Sequence, residues 1–198
     1  MADFPDIEAL ATAIAGRPPD SLVGVRAAVM LCLRDRGKGT EVVIGRRQER
    51  SDDPWSGQMS LPGGRLDHAD EPALAAAVRE TIEEVGFDPL AHGELLGPLE
   101  TVHGGARQVF VATFATEITS DVEPGPSVEL PSTWWMPFSE CDERSVHVPE
   151  VPYLVPAFVG AGPDGRESVV WGMTYKVLTS ARELVRAYEG NPQVSTES

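Results

Sequence analysis

The segment from Gly63 to Phe87, GGRLDHADEPALAAAVRETIEEVGF, constrains the fold more than any other part of this chain. Its alanine-rich centre favours a helix over roughly residues 71 to 85, because Asp70 is a typical N-cap residue and Gly86 a typical helix stop. Short β-branched and apolar runs lie on both sides of this segment, separated by turns rich in Gly and Pro. A central helix among short strands predicts a mixed α/β or α+β fold.

The periodicity of this helix predicts one core face and one acidic face. At about 100° per residue, one side of the helix is expected to face the core, and it carries Leu74, Val78, Thr81, Ile82 and Val85. Three carboxylates fall on the opposite side, those of Glu80, Glu83 and Glu84. A solvated acidic surface is the plain interpretation, although a hard cation such as Mg²⁺ would turn these mutually repelling groups into oxygen ligands.

The whole segment closely resembles the Nudix box, whose pattern is G-x5-E-x7-R-E-U-x-E-E-x-G-U with U a bulky apolar residue. Gly64, Glu71 and the run RETIEEVGF from Arg79 to Phe87 carry the resemblance. Two positions depart from it: Thr81 occupies a bulky apolar position, and the gap between Gly64 and Glu71 is one residue longer. The resemblance implies a Nudix-type α/β/α sandwich with a mixed sheet.

Three phrases outside the box resemble the Nudix subgroup known for coenzyme A diphosphatase activity, which also tends to carry the longer gap. They are VIGRR at residues 43–47, GQMSLPGG at residues 57–64 and VWGMT at residues 170–174. One subgroup position differs, since Asp53 stands where an arginine is usual. The resemblance therefore leaves the specificity for coenzyme A open.

The balance of charge limits the classes of partner. Lys and Arg number 16 and Asp and Glu 31, giving a formal charge of −15, which repels nucleic-acid backbones and anionic membranes. The longest apolar run, residues 27–33, is far shorter than the roughly 20 residues of a membrane-spanning helix. The acidic N-terminus lacks the basic residues of a secretory signal, which favours a cytoplasmic protein.

The chain is predicted to contain one catalytic domain. We expect an N-terminal helical appendage at residues 1–21, a Nudix hydrolase domain at residues 22–189 and a disordered tail at residues 190–198. A homodimer is compatible with this organisation, but the sequence does not determine the oligomeric state.

The resemblance implies a role for each matching position. Glu80 and Glu84 are the expected metal ligands, with Glu83 a helper ligand or water-orienting group. The backbone carbonyl of Gly63 or Gly64 completes the metal shell. The spacing places Arg79 one turn before Glu83, where it can orient that carboxylate. The candidate for a further carboxylate outside the box, acting as a base or extra ligand, is Glu129. Phosphate binding is expected at Arg46, Arg47, Arg50, Gly63, Gly64 and Arg65.

The function implied is Mg²⁺-dependent hydrolysis, with Mn²⁺ as the alternative metal, of the diphosphate bridge in a small nucleoside diphosphate derivative. Coenzyme A or one of its derivatives is the first hypothesis. A nucleoside triphosphate, dinucleotide or sugar nucleotide is the alternative substrate. A Nudix-like nucleotide sensor that binds without cleaving is the alternative from another class, and the intact carboxylate cluster argues against it.

Overall fold

The computed structural model describes residues 4–16, 22–51, 55–68, 71–104 and 109–190. The helices within these ranges are α1 Ile7–Ala15, α2 Ala73–Val85 and α3 Gly172–Glu189, with a 3₁₀ turn at Phe138–Glu140. The strands are β1 Val25–Asp35, β2 Thr40–Arg46, β3 Met59–Ser60, β4 Gly63–Arg65, β5 Gly93–Pro98, β6 Val102–Gly104, β7 Val109–Ile118, β8 Ser132–Pro137, β9 Asp142–His147, β10 Leu154–Ala161 and β11 Glu167–Val170. No helix in the described ranges has the length and apolarity needed to cross a membrane.

The strands form two sheets. The larger one has the order β3-β2-β1-β7-β5, and β4, β6 and β8 extend it by pairing with β1, β7 and β2. Its central strands β1 and β7 run parallel, whereas its other pairs are antiparallel. Strands β9, β10 and β11 form a second, antiparallel sheet. This mixed α/β architecture confirms the predicted fold class.

Side chains of β1 alternate between two cores. Leu31 and Leu33 pack on the face that α1, α3 and the second sheet cover. Met30 and Cys32 pack on the opposite face, against α2. The nearly continuous apolar sequence of β1 follows from this position, because a central strand covered on both faces has no solvent side.

The predicted N-terminal appendage folds as α1, capped by the Asp6 carboxylate, which accepts a 2.7 Å hydrogen bond from the backbone N–H of Ala9. Its residues Leu10 and Ala13 are fully buried in the core shared with α3. This helix therefore packs onto the sheet layer. The predicted tail lies outside the described residues except for Gly190, the C-cap of α3.

The buried side of α2 differs from the predicted one. The residues that are buried are Ala73, Ala76, Ala77, Thr81, Glu84 and Val85. Of the predicted core face, Thr81 and Val85 are fully buried as expected, but Ile82 is 43% exposed and Leu74 and Val78 are only partly buried. Small alanine side chains let the helix lie close to β1, and this close approach turns the larger apolar residues toward the edge. The rotation brings Glu84 into the interior.

Candidate metal and phosphate site

Gly63 lies in β4 at a position that accepts only glycine. It pairs with Val29 of β1 and has a φ of 149°. A Cβ atom here would lie 2.4 Å from the carbonyl oxygen of Ala28 and 2.5 Å from Cα of Val29. Its backbone N–H donates a 2.9 Å hydrogen bond to Oε2 of Glu84. The glycine thus joins β1, β4 and α2 at one point.

The Glu84 side chain is the centre of the site. The residue is only 4% exposed, and burial raises the pKa of its carboxyl to about 7. The negative charges of Glu80 and Glu129 raise this pKa further, whereas the Gly63 N–H and the positive charge of Arg47 lower it. An isolated buried carboxylate is costly, so this arrangement favours a cation as an additional partner.

Glu80 lies one turn before Glu84 and directly against Gly64. A Cβ on Gly64 would come within 2.3 Å of Cδ of Glu80, so the missing side chain provides the space that this carboxylate fills. Desolvation raises the pKa of Glu80, and the hydrogen bond from Arg79 opposes that shift. The structure therefore brings together Glu80, Glu84 and both glycines, which were predicted from the sequence as one group.

Arg79 has a different principal partner from the predicted one. Its guanidinium donates to Glu71 at 3.2 Å and to Glu80 at 2.8 Å, and it also donates to the backbone carbonyl of Arg65 at 3.1 Å. Glu83, the partner predicted from helical spacing, lies 3.7 Å away. The hydrogen bond between Arg79 and Glu71 lowers the pKa of the Glu71 carboxyl and raises the pKa of the Arg79 guanidinium. Arg79 thus fastens the loop after β4 to α2 and holds Glu80.

Glu83 is more exposed than either Glu80 or Glu84. Its side chain is 58% exposed, compared with 16% for Glu80. This position suits a group that meets solvent or substrate at the rim of the site. It is a poor position for a principal ligand.

Glu129, the candidate for a carboxylate outside the box, lies close enough to affect the site electrostatically. Its charge raises the pKa values of both Glu80 and Glu84. The residue is exposed, and its backbone carbonyl accepts a 2.9 Å hydrogen bond from the N–H of Gln48. The long segment between β7 and β8 therefore delivers a third carboxylate to the acidic end of α2.

The two adjacent arginines at the end of β2 point in opposite directions. Arg47 affects the pKa of Glu84 and so lies on the α2 side of the sheet. Arg46 lies 3.8 Å from Asp164 in the turn between β10 and β11. Alternation along a strand explains the difference, and it separates Arg46 from the phosphate-binding group predicted from the sequence.

The other two arginines predicted to bind phosphate lie at the periphery. The backbone N–H of Arg50 donates to Oγ of Ser56 at 2.8 Å. Arg65 is exposed at the end of β4, and its carbonyl accepts from Arg79. Neither guanidinium forms part of the hydrogen-bond network around Glu80 and Glu84 in the described chain.

The donor set suits a hard cation and is incomplete in side chains alone. Within the described ranges, no three His, Cys, Asp or Glu side chains are grouped closely enough to hold a metal ion. Glu84 provides a buried carboxylate and Glu80 a partly buried one whose charge repels it, and Gly63 and Gly64 expose backbone beside them. A divalent cation with oxygen ligands fits this composition, with backbone or water oxygens supplying the remaining ligands.

Comparisons with known proteins show the family to which the chain belongs. The profile of the NUDIX domain family matches residues 24–158, more than half of the chain. Nudix hydrolase 15, mitochondrial, from Arabidopsis thaliana is 37% identical over 73 residues, which are 37% of this chain and 26% of that protein. Nudix hydrolase 22, chloroplastic, from the same plant is 38% identical over 64 residues, 32% of this chain and 21% of its own length. The matched segments thus span about a quarter of these relatives.

Solved structures show the same fold at low sequence identity. A Caenorhabditis elegans Ap4A hydrolase binary complex aligns with a TM-score of 0.51 and 16% identity, covering 83% of this chain and 96% of that one. A MutT/nudix family protein from Enterococcus faecalis aligns with a TM-score of 0.53 and 16% identity, covering 96% and 73%. The arrangement of helices and strands in this chain is therefore a known fold.

Proposed function

The chain belongs to the NUDIX domain family, and on that premise we propose that it hydrolyses the diphosphate bridge of a small nucleoside diphosphate derivative. The observation that carries the proposal is the buried Glu84 and the partly buried Glu80, held against the bare backbone of Gly63 and Gly64. Glu80 already has Arg79 as a partner, whereas Glu84 has only a backbone N–H in a nearly dry environment, so a cation bound between the two carboxylates would stabilise them. Mg²⁺ is the proposed cation, with Mn²⁺ as the alternative.

Each residue of the site has a proposed part in the reaction. Bound at Glu80 and Glu84, Mg²⁺ would neutralise the charge of the diphosphate and of its transition state. A water oxygen attacks one phosphorus, the bond to the bridging oxygen breaks, and the departing phosphate keeps that oxygen. Glu129 accepts the proton of the attacking water, and Glu83 orients that water at the rim. Arg79 holds Glu80, and Arg47 supplies positive charge to the phosphate oxygens.

The rival from another class is a nucleotide sensor that binds without cleaving. The raised pKa values of Glu80 and Glu84 argue against it, because retaining both carboxylates in a buried site costs stability without a metal. Nucleoside triphosphates, dinucleotides and sugar nucleotides remain alternative substrates, since the residues proposed for the reaction would contact only the diphosphate that these compounds share. We propose a cytoplasmic enzyme with no nucleic-acid or membrane partner, in keeping with its charge of −15. A homodimer of this enzyme is compatible with the proposal.

Coenzyme A and its thioesters are the proposed substrates, supported by the phrases at residues 43–47, 57–64 and 170–174. Coenzyme A carries a 3′-phosphate, which adds roughly two negative charges near neutral pH. Asp53 replaces the arginine usual in the subgroup and lies outside the described residues. We therefore expect kcat/KM for coenzyme A and its 3′-dephospho form to differ by less than about tenfold, or about 1.4 kcal/mol.

The test is product analysis by liquid chromatography over a panel of diphosphate compounds that includes both forms of coenzyme A. Asp53→Arg serves as the informative variant, and we expect it to increase the preference for the phosphorylated form. A strong wild-type preference for coenzyme A would show that Asp53 does not weaken recognition of the 3′-phosphate. Turnover of sugar nucleotides or dinucleotides, without turnover of either coenzyme A form, would refute the proposed substrate while leaving the diphosphatase proposal intact.

A further inference from the structure

Glu129 lies on an irregular segment, residues 119–131, that connects β7 to β8. An exposed carboxylate on a long connection needs other contacts to hold it near Glu80 and Glu84. Two backbone anchors are already evident, since Gly125 N–H donates to the Val85 carbonyl at the end of α2, and Gln48 N–H donates to the Glu129 carbonyl, each at 2.9 Å. A third anchor lies deeper in the protein and involves side chains.

The third anchor is the backbone carbonyl of Val122, which accepts two hydrogen bonds. A guanidinium nitrogen of Arg34 donates to it at 3.3 Å, and the indole N–H of Trp135 donates at 3.1 Å. The Arg34 guanidinium also stacks over the Trp135 ring, 4.1 Å from its centroid. We call Arg34, Trp135 and the Val122 carbonyl the clamp.

The clamp is rigid because both side chains are buried and fully engaged. Arg34 is 7% exposed and Trp135 is 6% exposed. The other contacts of Arg34 are a 2.6 Å hydrogen bond to Glu41 and a 2.8 Å hydrogen bond to Glu123, the residue that follows Val122. A charged arginine on a central apolar strand needs such partners, and here two of its acceptors belong to the segment that carries Glu129.

The clamp lies beside the end of α2, and a further buried contact lies next to Glu129. The Trp135 ring stacks against Phe87, two residues beyond the end of α2, with ring centroids 6.5 Å apart. Leu130, next to Glu129, is fully buried, and the missing side chain of Gly45 makes room for it, since a Cβ there would lie 2.5 Å from a Leu130 methyl carbon. Val122 and Leu130, on either side of Glu129 in the sequence, are thus both fixed to the protein interior.

We propose that Arg34 and Trp135 are positioning residues that act through the Val122 carbonyl to hold Glu129 at the site, an inference that rests on the proposed diphosphatase function. Both side chains are too buried to contact a substrate. Loosening the clamp affects the chemical step more than substrate binding, because the diphosphate site on α2 and β4 is left intact.

Trp135→Phe tests the proposal, since it keeps an aromatic ring beside Arg34 but removes the indole N–H together with part of the ring, a loss of size that the control variant Trp134→Phe also makes. We expect kcat to fall at least about fivefold with KM changed less than about twofold, measured on the diphosphate substrate that the product panel identifies. Arg34→Lys, which keeps the charge but not the guanidinium fork, should have a similar effect. The matched control is Trp134→Phe, because the Trp134 indole N–H is buried without a hydrogen-bond partner among the described residues, and kcat should stay unchanged.

The decisive comparison places Trp135→Phe in a Glu129→Gln background. If the clamp acts through Glu129, the additional fall in kcat should shrink to less than about 1.5-fold. Equal falls in both backgrounds, or no fall in either, would overturn the positioning role. If Glu129→Gln alone leaves kcat unchanged, Glu129 has no catalytic part, and the proposal fails with it.

Hydrogen exchange measured by mass spectrometry separates failure of the clamp from failure of the proposed function. Amides of residues 119–131 should exchange faster in Trp135→Phe than in the wild type, and at the wild-type rate in Trp134→Phe. Unchanged exchange in Trp135→Phe overturns the clamp even in an active enzyme. Faster exchange in a protein that hydrolyses no diphosphate refutes the proposed function and, with it, the catalytic purpose of the clamp.

Discussion

Glu84→Gln is expected to lower kcat by at least about 100-fold while leaving the protein folded. The substitution keeps the size of the side chain and an oxygen that can accept the hydrogen bond from the Gly63 N–H, but it removes the buried carboxylate. Loss of a metal ligand costs several kcal/mol of transition-state stabilisation. Steady-state kinetics at saturating Mg²⁺, with circular dichroism to check folding, measure the effect.

Glu83→Gln is the matched control, since it makes the same chemical change one residue earlier in α2. The Glu83 side chain is 58% exposed, so its loss should reduce kcat less than Glu84→Gln does. A loss at Glu83 equal to or greater than that at Glu84 would identify Glu83 as the catalytic base and would remove that role from Glu129. Near wild-type activity in Glu84→Gln would show that the metal assignment is wrong.

Gly63→Ala is expected to lower the free energy of unfolding by about 3 kcal/mol or more, or to prevent folding. The added methyl group would meet backbone atoms of Ala28 and Val29 at 2.4 and 2.5 Å, and those atoms belong to the central strand β1. The φ of 149° adds strain for any residue with a Cβ. Urea denaturation followed by tryptophan fluorescence gives the change in free energy.

Gly24→Ala separates the two causes. Gly24 also has a positive φ, 82°, but a Cβ there would meet nothing within 4 Å. We expect this control to cost only about 1 kcal/mol, the conformational part of the effect. Equal destabilisation by the two variants would mean that the close approach of β4 to β1 contributes nothing to the requirement for glycine at position 63.

The grouping of Glu80 and Glu84 with the preceding glycines was predictable from the sequence, because it depends on helical spacing and local backbone freedom. The rotation of α2 was not predictable by the same reasoning. Periodicity predicts that large apolar residues such as Leu74 and Ile82 face the core, whereas the helix packs through small alanines that allow close contact with β1. Burial of Glu84 follows from that close contact and from the N–H of Gly63, neither of which is apparent in a helical wheel.

Partners that are distant in the sequence account for the other differences. Spacing along the helix assigned Arg79 to Glu83, but the loop before α2 brings Glu71 to Arg79 first. Arg46 and Arg47 were grouped by adjacency, although alternation along β2 already places neighbours on opposite faces. The sequence does contain an indication of the role of Arg34, because a lone arginine at the end of an apolar strand needs hydrogen-bond acceptors. Glu123 and the Val122 carbonyl are such acceptors.

Titration with Mn²⁺, monitored by electron paramagnetic resonance of the free ion, tests the central claim most directly because it needs no substrate. The account predicts a site in the wild-type protein that binds more tightly as pH rises from 6 to 8, because a ligand must lose its proton and the pKa of Glu84 is about 7. Glu84→Gln should bind at least about tenfold more weakly and lack this pH dependence. Equal affinity in the two proteins, or no binding to either, would contradict the account.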